Sequence, residues 1–373
     1  MPPTPRAPTP GRAPTLGACA TTWLDKQCKR LFDCLAAALD GRDPEGVHDM
    51  RVATRRLRAA LEVFAPWMAP ASADQVGCHL RRLGRALGRT REIDVALLQL
   101  SQAGDRTTPE RRLAIEEVSA CLVKKRRKAR RRMIRAFAAV DLDRLRQTLE
   151  ALPREHLAVS ASALPFVTLA AAVSPELLTA ARRIVAAAEM RAEVGSAEAL
   201  DILHATRIDA KRLRYRIEIL KPGLGDAAGE ALVALRQLQD HLGGLHDDSI
   251  LVALLAEVGG TVRESSRPLL AAEVQRLHAL RGQRLRRDEK ACRHDLATLA
   301  ASGFVESLEV LLREAAPTAP VPADPRADFA TPELPDENTG TPSQLLPEAP
   351  TLPCDPPRTP LKRPRASHDA ALD

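Results

Sequence analysis

Two stretches of this 373-residue chain set histidine and cationic side chains at helical spacing. Residues 47–58 read VHDMRVATRRLR and residues 203–214 read LHATRIDAKRLR. His48 aligns with His204, Arg51 with Arg207, Arg55 with Lys211, Arg56 with Arg212 and Arg58 with Arg214, at an offset of 204 − 48 = 156 residues. At about 100° per residue, His48, Arg51, Arg55 and Arg58 fall within an arc of roughly 80°. His204, Arg207, Lys211 and Arg214 share a stripe in the same way. The chemistry open to such a row is the holding of anions. Arginine offers a fixed fork of donors, lysine a point charge, and histidine a donor whose charged form a nearby phosphate favours. Like charges at i,i+4 cost an isolated helix a few tenths of a kcal/mol per pair. Two rows with matched positions therefore point to an anionic partner rather than to a solvated arginine-rich face.

Each row needs a helix that buries a different side. Ala53, Leu57, Leu61 and Phe64 supply it in the first copy, and Leu213, Ile217 and Leu220 in the second. A second pair of segments also matches: RALGRTREIDV ends at Val95 and QDHLGGLHDDSI at Ile250, an offset of 155. Two long matches separated by one indel predict a duplicated unit. The first half reads as helices over 19–40, 43–65, 71–102, 110–139 and 141–151. Gly41 stops the first, Asp43 and Pro44 start the second, and Pro66 breaks it. Arg82, Arg85 and Arg89 lie together off the buried stripe of the third, and nine of the twelve residues 124–135 are basic. The second half reads as helices over 163–191, 197–220, 227–258, 265–300 and 303–314, with Pro222, Gly223 and Gly225 forming a turn. The expected fold is all-α: two pseudo-symmetric antiparallel four-helix bundles, flanked by unfolded Pro-rich ends.

Composition sets the boundaries. Of 29 prolines, 6 lie in residues 1–16 and 14 in residues 315–373. Pro-rich ends without apolar periodicity bury no core, so residues 1–17 and 315–373 are expected to be disordered. The folded part is expected over 18–314, its halves spanning 18–152 and 163–314. Net charge is +7, and the tail from 315 carries 9 acidic and 5 basic side chains, so the remainder carries +11. A basic body implies polyanionic partners. Seven dispersed cysteines without a CxxC suit reduced thiols in the cytoplasm. No secretory signal is apparent, and the longest uncharged run, 157–175, reads as a buried helix rather than a membrane span.

The segments VHDMRVATRRLR, RALGRTREIDV, LHATRIDAKRLRY and LQDHLGGLHDD together resemble the CHAD family, the conserved histidine α-helical domain, over roughly residues 18–314. That resemblance implies two four-helix bundles with a basic groove between them, binding of inorganic polyphosphate, and association with polyphosphate granules. It puts His48, Arg51, Arg55, Arg58, His204, Arg207, Lys211 and Arg214 toward the ligand, with Arg56, Arg82, Arg85, Arg89, Arg212 and Tyr215 beside them. Two positions depart from the family pattern: Arg91-Glu92 stands where Arg-Asp is usual, and His246-Asp247 where Asn-Asp is usual. The ExExK signature of the triphosphate-tunnel domain that often accompanies this family is absent, so a stand-alone member is expected.

Other functions are weaker readings of the same residues. Phosphoanhydride hydrolysis usually calls for metal-held carboxylates, whereas Glu92, Asp94, Asp247 and Asp248 read as partners of neighbouring arginines. His241 and His246 lack a third ligand of obvious spacing, so no metal or cofactor is expected, and no P-loop, GxSxG or HExxH occurs. Nucleic acid fits the charge as a weaker competitor, but aromatics make up only 2%, too few for base-stacking platforms.

Overall fold

A computed structural model describes residues 15–104, 107–264 and 267–316. Apart from residues 15–17, 315 and 316, the two Pro-rich ends lie outside the described residues. The described chain is all-α. Its helices are α1 (Leu16–Asp33), α2 (Leu35–Asp40), α3 (Pro44–Phe64), α4 (Pro70–Gly104), α5 (Pro109–Ala138), α6 (Leu142–Glu155), α7 (Val159–Ser162), α8 (Phe166–Ala186), α9 (Ala197–Leu224), α10 (Ala228–Glu264), α11 (Pro268–Ala301) and α12 (Phe304–Ala315). Among the described residues there is no strand, only the bridges Thr15–Pro165 and Met68–Leu157. None of these helices is long and apolar enough to cross a membrane.

Local chemistry sets most of the ends. The side chains of Thr15, Asp43, Thr108, Asp141 and Ser196 accept from backbone N–H groups in the first turns of α1, α3, α5, α6 and α9. Gly41 closes α2 at φ 66°, and its N–H bonds to the Ala37 carbonyl at 3.0 Å. Some boundaries differ from the sequence expectation. The helix expected over 19–40 starts at Leu16 and is interrupted at Cys34. The one expected to stop at 220 runs through Pro222 to Leu224. A proline that late removes one intrahelical bond, and Gly225, at φ 66°, supplies the stop instead.

Corresponding helices of the two halves keep matching neighbours. α1 packs on α3 and α6, as α8 does on α9 and α12; α3 packs on α4, as α9 does on α10; α4 pairs with α5, as α10 does with α11. The buried core is continuous across both halves, running from Leu57, Phe64 and Trp67 to Leu213, Ile217 and Leu235. α4 and α10 have 35 and 37 residues, roughly 50–55 Å of helix, against 21 and 28 for α3 and α9. The far ends of the α4–α5 and α10–α11 hairpins share a second core, which includes Ile93, Leu100, Val118 and Leu122 with Leu251, Leu255, Val258 and Val274. These cores fix α3 against α9, and the two cationic rows lie on those helices.

Close packing at one glycine gives a test. A Cβ on Gly46 would sit 2.7 Å from the Ala37 carbonyl carbon and 2.8 Å from the Ala38 nitrogen. Gly46→Ala therefore has to push α2 away from the start of α3. It is expected to lower stability by about 1–3 kcal/mol in urea titration, in the range of overpacked cores.

Candidate anion-binding site

α3 and α9 come together with their cationic rows toward a common recess. A cavity of about 240 Å³ is lined by His48, Arg51 and Arg55 of α3, Gly88, Arg91, Glu92 and Val95 of α4, Arg207, Lys211, Arg214 and Tyr215 of α9, and Gln239, Asp240, Gly243, His246 and Asp247 of α10. The Gln239 side chain donates to the Ala210 carbonyl at 2.7 Å and fastens α10 to α9. Arg51 donates to the Gly84 carbonyl at 3.3 Å, and a Cβ on Gly88 would meet its guanidinium at 2.6 Å. Glycine at 88 thus gives Arg51 the space to lie along α4.

The acids near the cavity pair with some of its cations and leave four without an acidic partner among the described residues. Among the described residues, Arg51, Arg55, Arg207 and Lys211 have no ion pair within 4 Å, whereas Arg91 meets Glu45 at 3.1 Å and Arg214 meets Glu218 at 3.6 Å. The buried Nε–H groups of Arg55, Arg207 and Arg214 meet no protein acceptor. Tyr215, 4% exposed, has the guanidinium carbons of Arg214, Arg56 and Arg55 5.0, 5.8 and 5.9 Å from its ring centre. These cation–π contacts offset part of the crowding.

Protonation reports the same crowding. Burial, followed by the charges of Arg207, Arg55 and Arg51, pushes the Lys211 ammonium from its usual 10.5 down to about 6. Burial and Arg55 bring Arg51 down to about 10, and burial lowers Arg207 despite Asp247. His48 is lowered by burial and Arg91, and His246 is pushed to about 3 by burial and Arg207. Burial raises the Asp247 carboxyl even with Arg207 and Lys211 beside it. A buried cluster of like charges that turns its own groups neutral is a place where an anion gains stability.

The remaining candidates are placed differently. His204 lies in an adjoining recess of about 210 Å³ that shares His246 with the cavity, their ring centres 4.9 Å apart. Arg56 turns to Glu218 at 3.1 Å and Arg89 to Glu92 at 3.2 Å. Arg82, Arg85 and Arg212 are exposed outside the cavity, and Arg58 is lowered by burial and by Arg81, Arg212 and Arg85 close by. Asp94 is held by Arg126, and Asp248 by Arg284 at 3.1 Å and Arg281 at 3.5 Å, as expected of structural acids. Asp247, expected to do the same, has no ion pair among the described residues and lines the cavity. Gly88, Arg91, Gln239 and His246 were not among the candidates. The first is legible only as a glycine in a helix, and His246 only as a departure from a family pattern. Among the described residues no group of three His, Cys, Asp or Glu is placed to hold a metal.

Lys211 gives a stability test. Its folded pKa lies below its unfolded value, so the unfolded chain takes up the proton first as pH falls from about 10.5 to about 6. The group therefore lowers stability through that window, and its effect is constant below it. Lys211→Met is expected to raise the thermal midpoint of the ligand-free protein, with a gain that grows from pH 10 to pH 6 in differential scanning calorimetry.

A family model for the CHAD domain matches residues 22–256. The fold resembles the crystal structure of the CHAD domain from the plant Ricinus communis, at 23% identity and a TM-score of 0.54, covering 85% of this chain and 97% of that one. It also resembles PptA from Streptomyces chartreusis, at 19% identity and a TM-score of 0.53, covering 82% of this chain and all of that one. No curated protein matches the sequence. With more than half of its length matched by the family model, the chain belongs to the CHAD domain family.

Proposed function

We propose that the chain binds inorganic polyphosphate in the basic recess between α3 and α9, holding the polymer without cleaving it. The observation that carries this reading is the set of four cations, Arg51, Arg55, Arg207 and Lys211, half-buried and without acidic partners. Family membership supports it, since polyphosphate is the ligand expected of CHAD domains. A polymer with one charge per phosphate and no base edges calls for density of cations rather than a code, and the cavity offers density. Nucleic acid is a weaker competitor in this reading. Occupation of Asp94 and Asp248 by arginines favours binding over hydrolysis. The setting is the cytoplasm, on polyphosphate granules. We also infer that the halves arose by duplication, which the matched segments and matching helix neighbours support.

Charged hydrogen bonds contribute roughly 1.5–3 kcal/mol each, and about 1.4 kcal/mol is tenfold. Replacing Arg51 and Arg207 by Gln is expected to weaken polyphosphate binding by roughly a hundredfold or more in calorimetric titration, with unchanged circular dichroism. Full affinity in the folded double variant would remove the site assignment. Incubation with polyphosphate and Mg²⁺ should release no phosphate, and duplex DNA should lose to polyphosphate at equal phosphate concentration.

Binding is also expected to take up a proton. A bound phosphate raises the Lys211 pKa above its free value of about 6, so affinity is greatest below that pH and declines above it. Titration in buffers of different ionisation enthalpy measures the uptake. It should shrink in Lys211→Met, leaving what His48 and His246 of the same cavity contribute.

A further inference from the structure

The basic run of α5 divides into two sets. Lys125 pairs with Glu257, Arg126 with Asp94, and Arg130 donates to the carbonyls of Leu39 and Asp40. These side chains flank the buried seam of Leu122, Ala129 and Met133. The other six, Lys124, Arg127, Lys128, Arg131, Arg132 and Arg135, are exposed and have no ion pair among the described residues. On a helical wheel they occupy an arc of roughly 140° facing away from the seam, and they climb about 16 Å of helix. Seven pairs among them stand three or four residues apart, each a repulsion between like charges. No acid lies between residues 124 and 135.

The corresponding helix is built otherwise. In α11, Glu273 answers Arg276, Asp248 answers Arg281 and Arg284, and Glu289 answers Arg293. Arg286, Arg287 and Lys290 are the cations of α11 left exposed without an ion pair among the described residues, three against the six on the stripe of α5. α4 walls the cavity with Gly88, Arg91 and Glu92 and packs along α5. The stripe thus lies across one helix from the recess. A cavity of about 240 Å³ takes only a few phosphate units, so a longer chain has to continue over the surface.

We propose that the outward stripe of α5 is a second contact for the same polymer, engaged only by chains long enough to leave the cavity and reach it. This rests on the polyphosphate reading of the cavity. The stripe is convex and unbroken, with neither aromatic rings nor amide side chains to read bases, so it favours a flexible phosphate chain over nucleic acid. Two linked contacts raise avidity without any new interaction in the cavity, and the protein discriminates by length.

The test compares three proteins: the unaltered chain, a stripe variant (Lys124→Gln, Lys128→Gln, Arg131→Gln, Arg135→Gln) and a cavity variant (Arg51→Gln, Arg207→Gln). Each is titrated with tripolyphosphate and with long-chain sodium polyphosphate across a salt series. Glutamine keeps helix propensity and the changes relieve repulsion, so the stripe variant should melt no lower than the unaltered protein. It should keep its tripolyphosphate affinity and lose roughly tenfold or more for the long chain. Its log–log salt slope for the long chain should be shallower by about three, four contacts at ~0.7 each by analogy with single strands. The cavity variant should lose both ligands. Equal long-chain affinity in the stripe variant and the unaltered protein overturns the proposal, as does an equal loss for both lengths. If the unaltered protein binds neither polymer, the cavity reading falls first and this one with it.

Discussion

The structure depends on holding like charges together, partly out of water, where they repel one another. Arg51 and Arg55 meet Arg207 and Lys211 with Asp240, Asp247 and the already paired Glu92 as the acids of the cavity wall, and Lys211 responds by giving up its proton near pH 6. Neither α3 nor α9 would hold that arrangement alone. The cost is met by apolar packing elsewhere, through Leu57, Phe64 and Trp67 on one side and Leu213 and Ile217 on the other. On the reading proposed above, an anion that enters relieves repulsion the fold has already absorbed. Preorganisation of this kind turns a modest contact per phosphate into useful affinity.

The rest of the acid–base inventory is consistent with that division of labour. Where a cation serves the fold, an acid stands opposite it: Asp94 for Arg126, Asp248 for Arg281 and Arg284, Glu218 for Arg56. Within the recess, Arg91 and Arg214 keep acids while Arg51, Arg55, Arg207 and Lys211 have none within 4 Å among the described residues. The chain carries 55 basic and 48 acidic residues, so the asymmetry lies in placement more than in number. Two neighbouring side chains of α3 show it: Arg56 is tied to Glu218, while Arg55 faces the cavity without an acid.

Much of this was legible in the sequence. The rows His48–Arg58 and His204–Arg214 gave the helices and their phase, and Asp43, Pro44 and Gly41 gave local ends that the structure keeps. Less was legible wherever the outcome depended on neighbours. Pro222 reads as a stop, yet α9 continues to Gly225. Arg56 and Arg58 sit in the same motif as Arg55, but Arg56 has an acid across the helix interface and Arg58 lies outside the recess. Gly88 reveals its purpose only once Arg51 is seen lying against it. Helical periodicity predicts the direction of a side chain, and which partner waits in that direction is a property of packing.

Tyr215 is the single tyrosine of the chain, and its ring stands in the wall of the recess between three guanidinium groups. Trp23 and Trp67 are on other elements, away from that wall. The molecule therefore contains an intrinsic spectroscopic reporter at a single address. The aromatic resonances of one residue register whatever enters beside them, with no label attached and no overlapping signal from a second phenol.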